Sequence, residues 1–306
     1  MATTREPRIA TPPAPARNLP TSRSTWVRST ASSLRRFWTI RSATVGAVIL
    51  LLFVLAAIFA PFLTPFDFAA IAPMDAYAPP SRDHLMGTDK FGRDVFTRVL
   101  YGARISLTVG LIAIAIGGTI GVFLGMTAGY FGGLVDEATM RLLDILLAFP
   151  GILLAMGIVT MLGPSVTNLM IAVGIGYIAG FARLMRGSVL AARTYDYVLA
   201  AEALGARAGP IMWRHILPNI AAPLTVYTTL GVASAILTAA GLSFLGLGAK
   251  PPAPEWGIML SDGRETLNRA WWVSLFPGLA ILVTTLSINF VGDGLRTALD
   301  PRMRVR

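Results

Sequence analysis

The stretch ISLTVGLIAIAIGGTIGVFLGMTAGYFGGLV, residues 105–135, decides the fold, because no charged side chain interrupts it. A helix needs about 20 apolar residues to cross the hydrocarbon core of a bilayer. Lipid offers no partners for backbone polar groups, so an apolar segment of this length is expected to be a membrane-spanning helix. The sequence therefore predicts an integral membrane protein.

Four further runs without charge are long enough to span a bilayer, at 42–66, 145–182, 216–249 and 270–292. The run 145–182 is too long for one helix of ordinary tilt. The turn-forming sequence GPSVTN at 163–168 divides it into two helices. We therefore predict an all-α integral membrane fold with six transmembrane helices.

Composition supports a membrane protein and excludes several kinds of functional site. Hydrophobic residues make up 54% of the chain and charged residues only 14%, against about 25% charged residues in soluble domains. The absence of cysteine excludes disulfides, thiolate nucleophiles and cysteine-based metal sites. The only two histidines, His84 and His215, are predicted on opposite sides of the membrane, so we expect no metal site and no catalytic cluster.

Nucleotide hydrolysis by this chain is not expected. A phosphate-binding loop needs a Gly-Lys-Ser/Thr ending, and neither of the two lysines, Lys90 and Lys250, follows a glycine. We predict that the chain is not an enzyme and binds no cofactor itself.

The distribution of positive charge predicts the orientation. The net charge of +10 would suggest nucleic-acid binding in a soluble protein, but here the arginines are better explained by the positive-inside rule. With six spans and an inner N-terminus, 18 of the 26 Lys and Arg residues are cytoplasmic and 8 are external. Both termini are therefore predicted to be cytoplasmic, and residues 1–41, with eight arginines, are predicted to form a disordered basic tail.

The second span carries small residues at every fourth position: Gly117, Gly121, Gly125 and Gly129. This spacing places one glycine stripe on one helix face, where another helix can approach closely. Packing within the subunit is the favoured interpretation, and a dimer interface is the alternative. The spans also lack ionisable groups at mid-depth, which disfavours an ion-coupled carrier.

The first outer segment, 67–104, is predicted to contain a short amphipathic helix before the second span. Thr88 or Asp89 could cap this helix. Two opposite-charge pairs at i,i+4 spacing, Asp89 with Arg93 and Asp94 with Arg98, would stabilise it. Such a helix is interpreted either as a solvated cover of the bundle or as a docking surface for a substrate-delivering protein.

The second outer segment begins PPAPEWG at residue 251 and is predicted to form a rigid turn followed by a short helix. We take four outer residues as candidates for docking an external partner: Asp89, Arg93, Asp94 and Trp256.

The inner loop, 183–218, is predicted to hold two helical pieces. Alanines favour a helix over 197–204, which Gly205 would end from the C′ position. A second piece is predicted from Pro210, a residue suited to a first helical turn, to Leu217. Pro218 is then expected to break the helix before the fifth span.

This loop resembles the inner-loop signature of the permeases of ATP-binding-cassette importers, which reads Glu-Ala-Ala, three residues, Gly, nine residues, Ile, any residue, Leu, Pro. The chain departs from it at Leu199, in place of glutamate, and at His215, in place of isoleucine. The resemblance assigns coupling to the ATPase to seven residues: Ala200, Ala201, Glu202, Gly205, His215, Leu217 and Pro218.

Other blocks are similar to the C-type permease of dipeptide, oligopeptide and nickel importers: GTDKFGRD at 87–94, YGARISL at 101–107, LSFLGLG at 242–248 and LDPR at 299–302. The resemblance implies a type I importer permease with its first helix at 42–66, a five-helix core over 105–302 and a short tail at 303–306.

The resemblance also implies partners and a location. The partners are a second permease subunit of the B-type, two ATP-binding subunits that use ATP and Mg²⁺, and an extracytoplasmic binding protein. The protein is expected in the lipid of a bacterial inner membrane, and no nucleic-acid partner is expected. Di- or oligopeptides are the expected cargo. Nickel or another small solute is the alternative cargo. A third hypothesis is a secondary transporter or channel that works without ATP-binding subunits.

Overall fold

The computed structural model describes residues 35–299, and this part of the chain is helical, without an extended strand. Nine helices of eight or more residues lie within it, and we number them in chain order. They are α1 (Arg41–Ile58), α2 (Val95–Phe131), α3 (Gly133–Leu147), α4 (Gly151–Leu162), α5 (Val166–Ala192), α6 (Asp196–Ala203), α7 (Ala221–Phe244), α8 (Trp256–Gly263) and α9 (Trp272–Leu299).

Five of these helices, α1, α2, α5, α7 and α9, are long and apolar enough to cross a membrane. A sixth crossing exists only if α3 and α4, which meet at 84°, are counted as one broken span. With 12 residues, α4 is about 18 Å long and cannot cross alone. Pro150 is the N-cap of α4. A proline pushes the residue before it out of helical geometry, which separates α3 from α4.

The bundle has two ends that differ in structure. With 37 residues, α2 is about 55 Å long and projects beyond a hydrocarbon core of about 30 Å. We call the end with residues 64–94 and α8 the cap side, and the end with residues 193–220 the loop side. Trp272, at the start of α9, donates to Thr88 on the cap side, so α9 ends on the loop side.

The start of α1 also lies on the loop side, because Ala43 packs with Ala298 near the end of α9. Residues 1–34 of the predicted tail, and 303–306, lie outside the described residues. Residues 35–39 are helical and Phe37 is buried in the same cluster. This contact corrects the predicted end of the tail, since an apolar side chain there packs on the bundle.

The predicted first span, 42–66, is shorter in the structure, where α1 ends at Ile58. Arg104 of α2 donates to the carbonyl oxygens of Ala57 and Ile58. A cation at a helix C-terminus satisfies carbonyls that lack helical partners and interacts favourably with the helix dipole. The arginine therefore stabilises the end of α1 on the cap side.

The glycine stripe on α2 packs against α5 of the same chain. A methyl group added at Gly117 would lie 2.7 Å from the Gly174 oxygen, and one at Gly121 would lie 2.5 Å from the Ile178 oxygen. A methyl group at Gly125 would collide with the Ala182 oxygen, and one at Gly129 would lie 2.9 Å from the Arg186 oxygen. The stripe thus brings α2 and α5 into backbone contact.

Candidate functional site

The loop side presents α6, a short helix held to the bundle by one deeply buried side chain. Val198 is fully buried. The helix ends in a Schellman motif, in which Gly205 N–H donates to Glu202 O and Ala206 N–H donates to Ala201 O. Gly205 adopts φ +79°, a conformation that glycine tolerates and most residues do not. The end of α6 is therefore fixed by its sequence.

Large apolar side chains of α6 and its two ends are uncovered. Leu199 is 51% exposed, and Leu204, beside the terminating glycine, is 88% exposed. Tyr195 at the N-cap is half exposed as well. Large exposed apolar side chains grouped outside a membrane-spanning region mark protein contacts more often than bare surface. Leu199 thus places an apolar group where the signature has a carboxylate.

Polar contacts tie α6 to the end of α2. The Tyr130 hydroxyl donates to the Glu202 carboxylate over 3.2 Å, and the Arg193 guanidinium lies 5.4 Å from the centre of the Tyr130 ring. Ala200 is exposed and Ala201 half-buried. The Glu202 carboxylate is therefore engaged by its own chain.

The second helical piece differs from the prediction. Instead of a helix from Pro210 to Leu217, the structure has a turn at Ala208–Pro210, a π-helical turn at Ile211–Ile216 and a final turn at Leu217–Asn219. Pro218 lies within that last turn, and α7 begins at Ala221. The side chain of His215 is exposed on the π turn.

Beneath this loop lies an apolar cluster, which we call the loop cluster. Its buried members come from α2, α5, α6, the π turn and the entry to α7. They are Met126, Met185, Val189, Ala192, Val198, Ile211, Met212, Ile216 and Ile220. Val122 and Leu224 pack against the loop cluster from the membrane side.

A groove of about 340 Å³ lies beside the loop cluster, between α2, α5 and α7. Its walls are apolar or hydroxyl-bearing and carry no charge. The lining residues are Leu111, Ile114, Ala115, Gly118, Thr119, Val122, Phe181, Leu224, Thr228 and Val232. Val122 and Leu224 therefore belong to the groove wall and also contact the loop cluster.

The cap side is built around a buried ion network rather than the predicted amphipathic helix. Asp94, not Thr88 or Asp89, is the N-cap of α2, and its carboxylate accepts from Thr97 N–H. Because α2 continues unbroken from Val95, no separate surface helix precedes the span. Gly92 has φ +73° and lies against the Ala72 backbone, so the chain turns there.

Of the two predicted charge pairs, the one between Asp89 and Arg93 forms, and the one between Asp94 and Arg98 does not. Asp89 binds Arg93 over 2.6 Å, across a turn rather than on a helix. Asp94 pairs with His84 over 3.0 Å. The guanidinium of Arg98 lies 3.6 Å from Asp89 instead.

Arg98 is 2% exposed and joins three segments of the cap. It donates to the carbonyl oxygens of Phe68, over 3.0 Å, and Pro252, over 3.2 Å. Asp262 of α8 binds Lys90 over 2.8 Å and so adds a further link. The network fixes the two outer segments to the start of α2.

The four residues proposed for docking are all inaccessible. Asp89, Arg93 and Asp94 are each 4% exposed and Trp256 is fully buried. The Trp256 indole N–H donates to Val99 O over 3.0 Å. These residues hold the cap together, which corrects the docking role: their charges and ring are satisfied by this chain.

Glu255 is a buried residue that the sequence did not single out. Its carboxylate caps α8 by accepting from the N–H groups of Gly257 and Ile258, each over 3.0 Å. Burial raises the pKa of Glu255, against the opposing effect of these hydrogen bonds. The sequence pattern of an acidic residue before a short helix could have indicated the cap, but not its burial.

Asn219 and Tyr130 were also missed. Asn219 donates its side-chain amide to the His215 carbonyl over 2.6 Å. Its position directly after Leu-Pro is a sequence signal for a helix end, but the contact depends on the π turn. Tyr130 is separated from Glu202 by 72 residues, so local pattern carried no signal for it.

Comparison with known families identifies the chain. The model of the binding-protein-dependent transport system inner membrane component matches residues 121–305, which include α6, the π turn and part of the groove. The chain belongs to this family. The N-terminal transmembrane domain of oligopeptide transport permease C matches residues 30–80. The protein is thus a multi-pass permease of an ABC importer in the inner membrane.

Curated relatives align over most of their length. The dipeptide transport system permease protein of Alkalihalophilus pseudofirmus is 50% identical over 262 residues, 86% of either chain. The glutathione transport system permease protein of Pectobacterium atrosepticum is 43% identical over 88% of this chain and 90% of its own. A putative peptide transport system permease of Brucella suis is 46% identical over 89% of this chain and 91% of its own.

Solved structures share the fold at low identity. The inward-facing MetNI methionine ABC transporter matches with a TM-score of 0.56 and 16% identity, covering 66% of this chain and 97% of that chain. An amino acid ABC transporter with histidines matches with a TM-score of 0.52 and 15% identity, covering 67% and 95%. These matches support the helical permease architecture.

Proposed function

We propose that this permease is one of two pore-forming subunits of an ATP-driven importer of di- or oligopeptides. A binding protein outside the membrane delivers the peptide, and two ATP-binding subunits supply the energy. The relatives named for dipeptides, peptides and glutathione support a peptide-like cargo. The observation that carries the proposal is the exposure of Leu199 and Leu204 on α6 and at its end.

The face of α6 suits a partner that pushes on it. Leu199 and Leu204 are exposed outside the membrane-spanning helices, while Val198 is buried in the loop cluster. A rigid helix transmits a displacement because it does not absorb it by bending. We infer that an ATP-binding subunit covers Leu199 and Leu204 and moves α6 as a body.

The loop side is then the cytoplasmic side. It holds both ends of the described chain together with α6 and the arginines at 141, 183, 186, 193, 207 and 214. The positive-inside rule favours this assignment of the 18 Lys and Arg residues over the 8 on the cap side. The cap then faces the binding protein.

The groove is a suitable wall for a peptide path. It lies on the surface of the bundle between α2, α5 and α7, and none of its lining residues is charged. An uncharged wall does not bind one peptide terminus or one charged side chain in preference to another. We infer that the second permease subunit closes the path opposite this wall.

The test is reconstitution of the transporter, isolated from its native membrane through an affinity tag on this chain. We expect ATP-binding subunits and a second permease to co-purify. Labelled dialanine should enter proteoliposomes only when ATP is present on the side of the ATP-binding subunits and the binding protein is present on the other side. Uptake of ⁶³Ni²⁺ without dialanine uptake would assign a metal cargo. Dialanine uptake by this chain alone, without ATPase subunits, would refute the proposal.

A further inference from the structure

The chain enters the bundle on the loop side through a short bent segment, residues 35–41, which we call the entry segment. The part before Ile40 is helical, Ile40 itself is extended with φ −86° and ψ 108°, and α1 begins at Arg41. The Thr44 hydroxyl donates to the carbonyl oxygens of Trp38, over 3.1 Å, and Ile40, over 3.2 Å. This side chain therefore stabilises the bend between the short helix and α1.

Phe37 anchors the entry segment to the bundle. Its ring is buried and packs with Ala43 of α1 and Ala298 of α9. A methyl group added at Gly294 would lie 3.0 Å from this ring. Gly294 and Ala298 precede and follow Arg296 by two residues, so the last turns of α9, with Arg296, lie beside the entry segment.

The length of α1 sets the depth of this segment in a membrane. With 18 residues, α1 is about 27 Å long, close to the hydrocarbon thickness of about 30 Å. Its cap-side end is marked by Arg104, which donates to the Ile58 carbonyl oxygen over 2.8 Å. Because a cation thus lies at either end of α1, Arg41 and the residues before it lie at the depth of the lipid headgroups on the loop side.

The arginines at this depth differ from other arginines of the loop side, because they lack acidic partners. Those of α3 and α5 are paired with carboxylates: Arg141 with Glu137, Arg183 with Asp144 and Arg186 with Asp136. Within residues 35–299, none of Arg35, Arg41 and Arg296 forms an ion pair, and all three are exposed. The sequence also holds no acidic residue over 7–66. The charge of this surface is therefore left for a ligand outside the chain.

An exposed tryptophan lies between these arginines in the sequence. Trp38 is 53% exposed although its neighbour Phe37 is buried, and the two rings meet edge to face with centroids 5.5 Å apart. Tryptophan is enriched at membrane interfaces because its amphipathic ring is favoured at the level of the headgroups. An exposed indole beside unpaired cations therefore fits the boundary of a bilayer.

We propose that Arg35, Arg41 and Arg296, with Trp38 beside them, form a binding site for an anionic phospholipid of the loop-side leaflet. Phosphatidylglycerol is the simplest member of this class. The guanidinium groups bind the headgroup phosphate, because arginine presents a rigid fork of donors that matches phosphate oxygens. The bound lipid holds the start of α1 at its depth. The site goes beyond the proposed function and does not depend on the cargo.

The test uses the absence of cysteine from the native chain. Ser42→Cys introduces a single thiol at an exposed position in the first turn of α1, and a fluorophore attached there reports the lipid around it. The labelled complex is placed in nanodiscs of phosphatidylglycerol and phosphatidylcholine in equal amounts. Bromine, which quenches fluorescence at short range, is carried by one lipid or by the other. The complex without Ser42→Cys, treated in the same way, gives the background from thiols of partner subunits.

We expect bromine on phosphatidylglycerol to quench more strongly than bromine on phosphatidylcholine. Each of Arg35→Gln, Arg41→Gln and Arg296→Gln should lower the relative association constant of the anionic lipid by up to about fivefold, the factor for one cation near an anionic surface. Arg41→Lys keeps the charge and should keep most of the preference. Salt at 1 M should weaken the preference, because the Debye length falls to about 3 Å.

The matched control is Arg141→Gln, which also removes one arginine from the loop side. The Arg141 side chain is 77% exposed but is paired with Glu137, so its loss should leave the preference for phosphatidylglycerol unchanged. The comparison separates a site at the entry segment from a general effect of net charge.

Equal quenching by the two lipids in the complex with all its arginines would overturn the inference. So would an unchanged preference when Arg35, Arg41 and Arg296 are replaced together, or an equal loss of preference in Arg141→Gln. Quenching by neither lipid would show that a protein subunit covers the entry segment, which also overturns it. If the triple variant does not assemble, the single variants decide. Dialanine uptake is not measured in this test, so failure of the proposed function is a separate result.

Discussion

The segments on the cap side and those on the loop side are held to the bundle by different kinds of contact. On the cap side, Arg98 and Asp89 are buried and have polar partners within the chain, and the Trp256 indole N–H donates to a backbone carbonyl. On the loop side, α6 is anchored by Val198 and leaves Leu199 and Leu204 uncovered. The comparison shows that the buried charges of the cap are satisfied within the chain, whereas α6 leaves large apolar side chains exposed.

Removing Arg98 should have the largest effect, because it breaks the cap at its centre. Arg98→Met leaves the carbonyls of Phe68 and Pro252 without a donor and weakens the neutralisation of Asp89. Breaking a buried charged network by removing one partner costs about 3–5 kcal/mol. We expect little folded protein, measured by size-exclusion chromatography in detergent. Arg264→Met, at a side chain 54% exposed, should remain native; equal yields of the two variants would contradict the network.

Gly125→Ala should have the second-largest effect on stability. It tests the close packing of α2, the helix that connects the cap side to the loop side. The added methyl would collide with the backbone oxygen of Ala182 on α5. Overpacking of this kind costs about 1–3 kcal/mol. We expect a lower midpoint of thermal unfolding, followed by tryptophan fluorescence. Gly118→Ala, whose methyl would rest at 3.5 Å from the Phe181 ring, is the control and should keep the native midpoint.

Glu255 allows a pH test of the cap. Its pKa is raised above the usual 4.5 by burial, so the folded state binds the proton more tightly than the unfolded state. The free energy of unfolding therefore falls as pH rises from about 4.5 through the raised pKa. We expect the unfolding midpoint of the native protein to drop more between pH 5 and pH 7 than that of Glu255→Gln. If the unfolding midpoints of the native protein and of Glu255→Gln change in parallel with pH, Glu255 is not the group that causes the pH dependence.

The smallest effect on stability is expected on the loop side, at Leu204→Gln. This side chain is 88% exposed, and surface substitutions usually change stability by within about 0.5 kcal/mol. The thermal midpoint should stay native while the ATP-binding subunits are lost on purification. The control is Leu267→Gln, at a cap-side residue 51% exposed. Retention of the ATPase by Leu204→Gln would remove Leu204 from the contact.

Much of the membrane architecture follows from the sequence. Charge-free length predicted the spanning helices, because lipid leaves no other way to satisfy the backbone, and the turn at 163–168 was predicted by local chemistry. The family was identifiable for the same reason, since its signature is a local spacing of alanines, glycine and Leu-Pro. Gly205 likewise marks the end of α6, because the positive φ that it adopts is a local requirement.

Tertiary structure alone decided which groups are accessible and how helices are joined. Asp89 and Arg93 have the sequence pattern of an exposed helix, yet they are buried because the segment near Ala72 lies on Gly92. The π turn before Pro218 depends on the packing of Ile211 and Ile216 in the loop cluster. Local composition predicts which segments enter the bilayer, but burial depends on neighbours far apart in the chain. Only the packed fold therefore distinguishes the buried ion network of the cap from the exposed apolar side chains of α6.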